Sequence, residues 1–162
     1  MQKSQSERSR NQELNVAYDD FSNSPNWDNL EKLCEMGRDS DDKKFKTLYF
    51  FWVYSDFCKP VDSQRSNAEF QEAKSYLENN SSSLGDSLVT VLGYRDSRGV
   101  RSIAARVIGR YGNEECMPVL KRCLELETDE ITIGQIKEAI EMIDRKREAQ
   151  NERGQGGSAA AE

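Results

Sequence analysis

Five arginines crowd one short window, Arg95, Arg98, Arg101, Arg106 and Arg110, and within it only Asp96 opposes them. A guanidinium offers a planar fork of donors that fits carboxylates and phosphates two bonds at a time. In a chain of formal charge −6 the window is a local concentration of positive charge. The chemistry it offers is recognition of an anionic partner. Groups for bond making are sparse. There is no histidine, which removes Ser-His and Cys-His nucleophile pairs and the usual zinc ligand sets. The four cysteines, Cys34, Cys58, Cys116 and Cys123, include no C-x-x-C pair. Cys116 and Cys123 share a helix face by spacing, and both read as reduced, partly buried thiols. Asp19-Asp20, Asp41-Asp42 and Glu114-Glu115 fall at predicted helix starts or in polar segments, where acids offset the positive end of the helix dipole. They read as caps. No catalytic residue, metal ligand or cofactor is assigned.

The arginines need a helix to position them. Val100, Ile103, Ala104, Val107, Ile108 and Tyr111 recur at steps of three and four, one apolar stripe of a helix that Gly112 stops. Arg98, Ser102, Ala105, Arg106 and Gly109 lie opposite that stripe, with Arg110 at its margin. The small residues between the arginines leave room for a partner's acidic groups. Two bland roles compete. Glu130, Glu138, Glu141 and Asp144 on the next helix could neutralise the ridge, and Arg101 could serve only structure, paired with Asp96.

The rest of the chain reads as helices. Residues 1–23 are polar apart from Leu14, Val16, Tyr18 and Phe21, which predicts a mostly disordered segment, or at most a short docked helix over 14–21. A helical domain is expected over 24–147, opening at Ser24-Pro25, and a flexible tail over 148–162. The run Leu48–Tyr54, L-Y-F-F-W-V-Y, is apolar on every side, the mark of a central, buried helix. Its β-favouring residues make a strand the competitor, but no hairpin turn or partner strand accompanies them. Phe50, Tyr54 and Phe57 would alternatively form an exposed aromatic patch. Ser66 to Glu69 is a capping box for a further helix, and Leu84–Tyr94, Glu115–Leu126 and Ile131 to about Lys146 complete the set. About seven helices and no sheet are predicted. The L-x-x-x-L-x-x-V-L run from Leu84 and the P-V-L-K-R-C-L run from Pro118 repeat at roughly 32 or 33 residues, a solenoid period.

Asp96, Val100-Arg101, Ala104-Ala105, Ile108-Gly109 and Gly112, followed by Pro118-x-Leu120, together resemble a short HEAT repeat of the phycobilisome-lyase type, clearest over 84–126. The resemblance implies a short right-handed α-solenoid of antiparallel helices whose second helices line a concave groove. It makes Asp96, Arg101, Ala104, Gly112 and Pro118 motif positions that build the fold. The next unit departs at Thr132-Ile133-Gly134, where Val-Arg would stand, and so resembles a degenerate or capping repeat.

The expected function is a non-catalytic protein-protein interaction module: an adaptor, inhibitor, immunity-type or chaperone-type protein. It would grip the acidic patch of another protein through Arg98, Ser102, Arg106 and Arg110. The alternative is an accessory subunit of a bilin-lyase-like enzyme, and a third reading is nucleic-acid binding through the arginine ridge. The acidic balance argues against a general nucleic-acid binder. No apolar run reaches the roughly 20 residues of a membrane span, and no secretory signal opens the chain, so a cytoplasmic protein is expected.

Overall fold

A computed structural model describes residues 4–56 and 66–159, which are helical apart from short connecting segments. They form eight α-helices: α1 (Gln5–Asn23), α2 (Trp27–Met36), α3 (Lys43–Asp56), α4 (Asn67–Asn79), α5 (Leu84–Leu92), α6 (Arg98–Tyr111), α7 (Met117–Leu126) and α8 (Glu130–Ala159). No strand occurs among the described residues, so the strand reading of 47–54 falls. The helical body expected as one domain over 24–147 is two compact units, Met1–Asn79 and Asn80–Glu162.

In the N-terminal unit α3 is the central element. Leu48 through Val53 are all buried, as the all-round apolar pattern predicts, with α2 and α4 packed on α3. Such a helix has no face left for water. Phe50 stacks on Tyr76 of α4 at 4.5 Å, and Tyr54 stacks on Phe70 at 5.2 Å. Those two aromatics therefore serve packing, and Phe57, the third member of the expected patch, lies outside the described residues. The segment expected to be disordered is largely α1. A capping box between Ser4 and Glu7 opens it, and Leu14, Ala17 and Phe21 are buried on its inner face. Tyr18 meets Phe45 edge-on at 5.9 Å while the Lys44 ammonium sits 4.0 Å above the Tyr18 ring. Ala17 completes a stripe that looks too thin when only large side chains are counted. Helix α2 begins two residues later than expected: Asn26 accepts the Asn29 amide at 2.9 Å, whereas Ser24 closes α1.

The C-terminal unit is built twice over. Ser81–Ser83 and Glu114–Cys116 are both 3-10 turns, each leading directly into a helix, α5 and α7. The turns close alike, Ser83 N–H to Asn80 C=O at 3.1 Å and Cys116 N–H to Asn113 C=O at 2.9 Å. The second helices also start alike. Ser97 accepts the Val100 amide at 3.2 Å and Asp129 accepts the Thr132 amide at 2.8 Å, so Asp129 caps α8. A carboxylate is the stronger acceptor at that end of a helix. The two turns are bonded together, Asn113 Nδ2 to Ser82 Oγ at 2.9 Å and Cys116 Sγ to Ser81 C=O at 3.2 Å. Helix α6 packs on α5 and α8, and α7 packs on α5 and α8. The tail expected to be flexible from 148 continues α8 to Ala159, and its side chains from Arg147 to Gly154 are exposed.

Candidate functional site

Arg101 is the most constrained of the five arginines. It is buried, and its Nε and Nη2 donate to Glu127 Oε2 and Oε1 at 3.0 and 3.2 Å. Its Nη1 donates to the carbonyls of Tyr94 and Arg95 at 3.0 and 2.9 Å. One side chain thus ties the α5–α6 turn to the α7–α8 turn. The pairing with Asp96 does not form. Asp96 lies exposed at the outside of its turn, while the guanidinium points into the unit, where the fork meets a carboxylate buried like itself. Glu127 also accepts the amides of Thr128 and Asp129 at 3.2 and 3.1 Å. Burial alone would raise its pKa. The Arg101 bond, the Asp129 amide, the guanidinium charge and the Thr128 amide together hold it below the ordinary carboxylate range.

The face drawn opposite the apolar stripe is not open. Ser102 Oγ lies 3.3 Å from Thr132 Oγ1 of α8, and Ala105 and Gly109 are buried. A Cβ added to Gly109 would stand 2.7 Å from the Cα of Ala139. The small residues let α8 approach, and leave no room there for a partner. Arg98 reaches Asp129 at 3.6 Å, so its counter-ion is the α8 cap. Of the four acids expected to neutralise the ridge, Glu141 pairs with Arg145 and Asp144 with Arg147. Arg106 and Arg110 remain exposed, with no acidic partner among the described residues; Arg110 leans over Tyr111 at 5.6 Å. Below them Lys146 of α8 donates to the carbonyls of Gly109, Arg110 and Gly112 at 2.8, 2.7 and 3.1 Å. A three-donor ammonium thereby satisfies the last carbonyls of α6. Burial lowers the Lys146 pKa from that of a free lysine. The double charge reversal Arg106→Glu/Arg110→Glu should cost less than about 1 kcal/mol in urea unfolding, because only solvent-facing side chains change.

The open surface lies on the other helix layer. Between α5 and α7 runs a groove of about 410 Å³, lined by Asp86, Val89, Leu92, Arg95, Arg122 and Leu126 among others. Val89 and Leu126, which both line this groove, leave 43% and 59% of their surface in water. Gly85 sets how close the two walls come, since a Cβ there would meet the Cα of Cys116 at 3.2 Å. Arg95 stands at the rim, 3.5 Å from Glu127, whose charge Arg101 already engages. Arg122 is exposed and has no acidic partner among the described residues. Cys123 also lines the groove and is a free thiol. Burial raises its pKa, and the nearby charges of Arg95 and Arg122 offset this only in part. It does not share a helix with Cys116, which sits in the preceding 3-10 turn.

Sequence reasoning missed Glu127, Lys146 and the groove. The first two act across long stretches of chain and carry no local signature. The groove did leave a signal: Val119, Cys123 and Leu126 form a second apolar line on α7 beside the core line of Met117 and Leu120. The chain matches no protein-family model, no curated protein and no solved structure.

Proposed function

We propose that the chain is a non-catalytic protein-binding module, its C-terminal unit two HEAT-like helical hairpins, working in the cytoplasm as a small adaptor or inhibitor. The observation that carries this is the α5–α7 groove, an aliphatic channel left open between two helices whose core sides, Leu84, Leu88 and Val91 on α5 and Met117 and Leu120 on α7, are packed. Exposed aliphatic surface in a groove with charged rims is the form protein-interaction sites take. The groove lies between the first helices of the two hairpins, because α8 covers the second-helix face on which Ser102 was to contact a partner. Arg106 and Arg110 would add an electrostatic contact that speeds encounter with an acidic partner more than it holds it.

Val89→Asp/Leu126→Asp tests the reading. Both side chains are already exposed, so the variant should fold, with an unchanged circular dichroism spectrum. It should lose the partner that the wild-type chain retains in side-by-side affinity capture from its native cell. Equal retention of every partner by both proteins would sink the proposal.

A further inference from the structure

The occupant of the groove can be specified from its walls. On α5 and its C-cap the lining runs from Asp86 to Gly93, and on α7 from Val119 to Leu126. Each wall spans about 10 Å at 1.5 Å per residue, room for about two helical turns. The lining positions on α7, Val119, Arg122, Cys123 and Leu126, are spaced as one ridge of a helix, and those of α5 face them. Two such ridges form a furrow into which the side-chain ridge of a third helix packs. The other common ways of holding a peptide lack their groundwork. No sheet edge exists among the described residues to extend with a strand, and no aromatic lines the groove to hold a proline-rich segment.

Charge fixes the rest. Asp86 is the single acid in the lining, against Arg95 and Arg122. Arg95 shares the Glu127 carboxylate with Arg101, so the cluster keeps a surplus positive charge even before Arg122 is added. We infer that the groove receives an amphipathic helix of a partner protein. Its aliphatic stripe covers Val89, Leu92, Val119 and Leu126, and its carboxylates meet Arg95 and Arg122. This rests on the reading of the groove as a docking site. A second copy of the chain does not supply such a helix. Its exposed large hydrophobics, Val16, Trp27, Val89, Leu126 and Ile131, fall one to a helix on α1, α2, α5, α7 and α8, so no described helix presents an outward stripe.

The test uses the full chain and two synthetic helical peptides with leucines at alternate steps of three and four. One carries glutamates on the flanks of the stripe and the other carries lysines at the same places. Binding is read by fluorescence anisotropy at low salt, and its location by the methyl resonances of Val89, Val119 and Leu126. The glutamate peptide is expected to bind about tenfold or more tighter, with shifts confined to those methyls, and Arg122→Glu should abolish or reverse the preference. Val89→Asp/Leu126→Asp should remove binding of both peptides. Equal affinities for the two peptides, with the methyl shifts retained, would overturn the acidic-helix inference and leave the groove as a docking site. Binding of neither peptide overturns the inference too, and partner capture indifferent to Val89→Asp/Leu126→Asp then removes the docking site itself. A concentration-dependent dimer in sedimentation that Val89→Asp/Leu126→Asp dissolves would make a second copy the occupant, and overturn it as well.

Discussion

Arg101→Leu is expected to destabilise the C-terminal unit by about 3–5 kcal/mol in urea unfolding, the range for removing one partner of a buried ion pair. The change removes the bidentate partner of the Glu127 carboxylate, whose side chain is 2% exposed, leaving it the amides of Thr128 and Asp129 and the Arg95 guanidinium at 3.5 Å, and frees the carbonyls of Tyr94 and Arg95. Glu127→Leu should cost a similar amount, since it strands the guanidinium and uncovers the amides of Thr128 and Asp129. The double variant should be more stable than the sum of the two losses predicts, with a coupling of about 2 kcal/mol, because no charge is left buried alone. Additive losses would mean that the two side chains act independently. Acid should expose the same pair. Glu127 has a folded-state pKa below its ordinary value of 4.5. Between those two values the unfolded chain holds a proton that the folded chain does not. The stabilisation is therefore complete above the ordinary value and is lost as the pH falls through the folded one. Urea midpoints collected from neutral pH into that window should decline in the wild type. They should decline less in Glu127→Gln, which has no charge to lose.

The second large effect is a contrast between two glycines in helices. Gly109→Ala is expected to destabilise by about 1–3 kcal/mol, the cost of forcing atoms into a packed interior. The new methyl would meet the Cα and Cβ of Ala139 at 2.7 and 2.8 Å, and backbone cannot swing aside as a side-chain tip can. α8 must move away from α6 as a body. Gly134→Ala is the opposite case. Nothing lies within 4 Å of the added methyl, so the gain in helix propensity is unopposed, and about 0.5–1 kcal/mol of stabilisation is expected. Thermal or urea unfolding of the two single variants decides both at once. A tolerated Gly109→Ala would mean that the α6–α8 contact is looser than these distances require.

The pair of glycines also shows why a helical wheel misplaced the candidate site. A wheel separates apolar from polar, and it put Ser102, Ala105 and Gly109 on the polar side with the arginines. Small residues are ambiguous in that scheme. They suit a solvent face, and equally a face where another helix comes so close that nothing larger fits. Ser102 bonded to Thr132 and Gly109 pressed on Ala139 belong to the second kind. What solvent keeps of α6 is a narrow strip including Arg106 and Arg110, with Arg98 near the start of the helix. The α1 segment erred the other way. Its composition is polar enough to read as disordered, yet Leu14, Ala17 and Phe21 at steps of three and four suffice once the neighbouring helix α2 of the same unit offers a surface.

The sequence by itself determined that the described chain is helical, that α3 is central to its unit, and that two similar hairpins follow one another after Asn79. Those properties live in local spacing: apolar residues at helical steps, caps such as Ser66 and Ser97, and a period carried by whole elements. Only the tertiary structure decided which charged groups are paired and which surface is open. Arg101 and Glu127 stand far apart in the chain, as do Lys146 and the carbonyls it caps, and no periodicity relates such positions. The groove likewise belongs to neither α5 nor α7. It exists because Gly85 sets their approach at one end, while Val89 and Leu126 farther along remain uncovered.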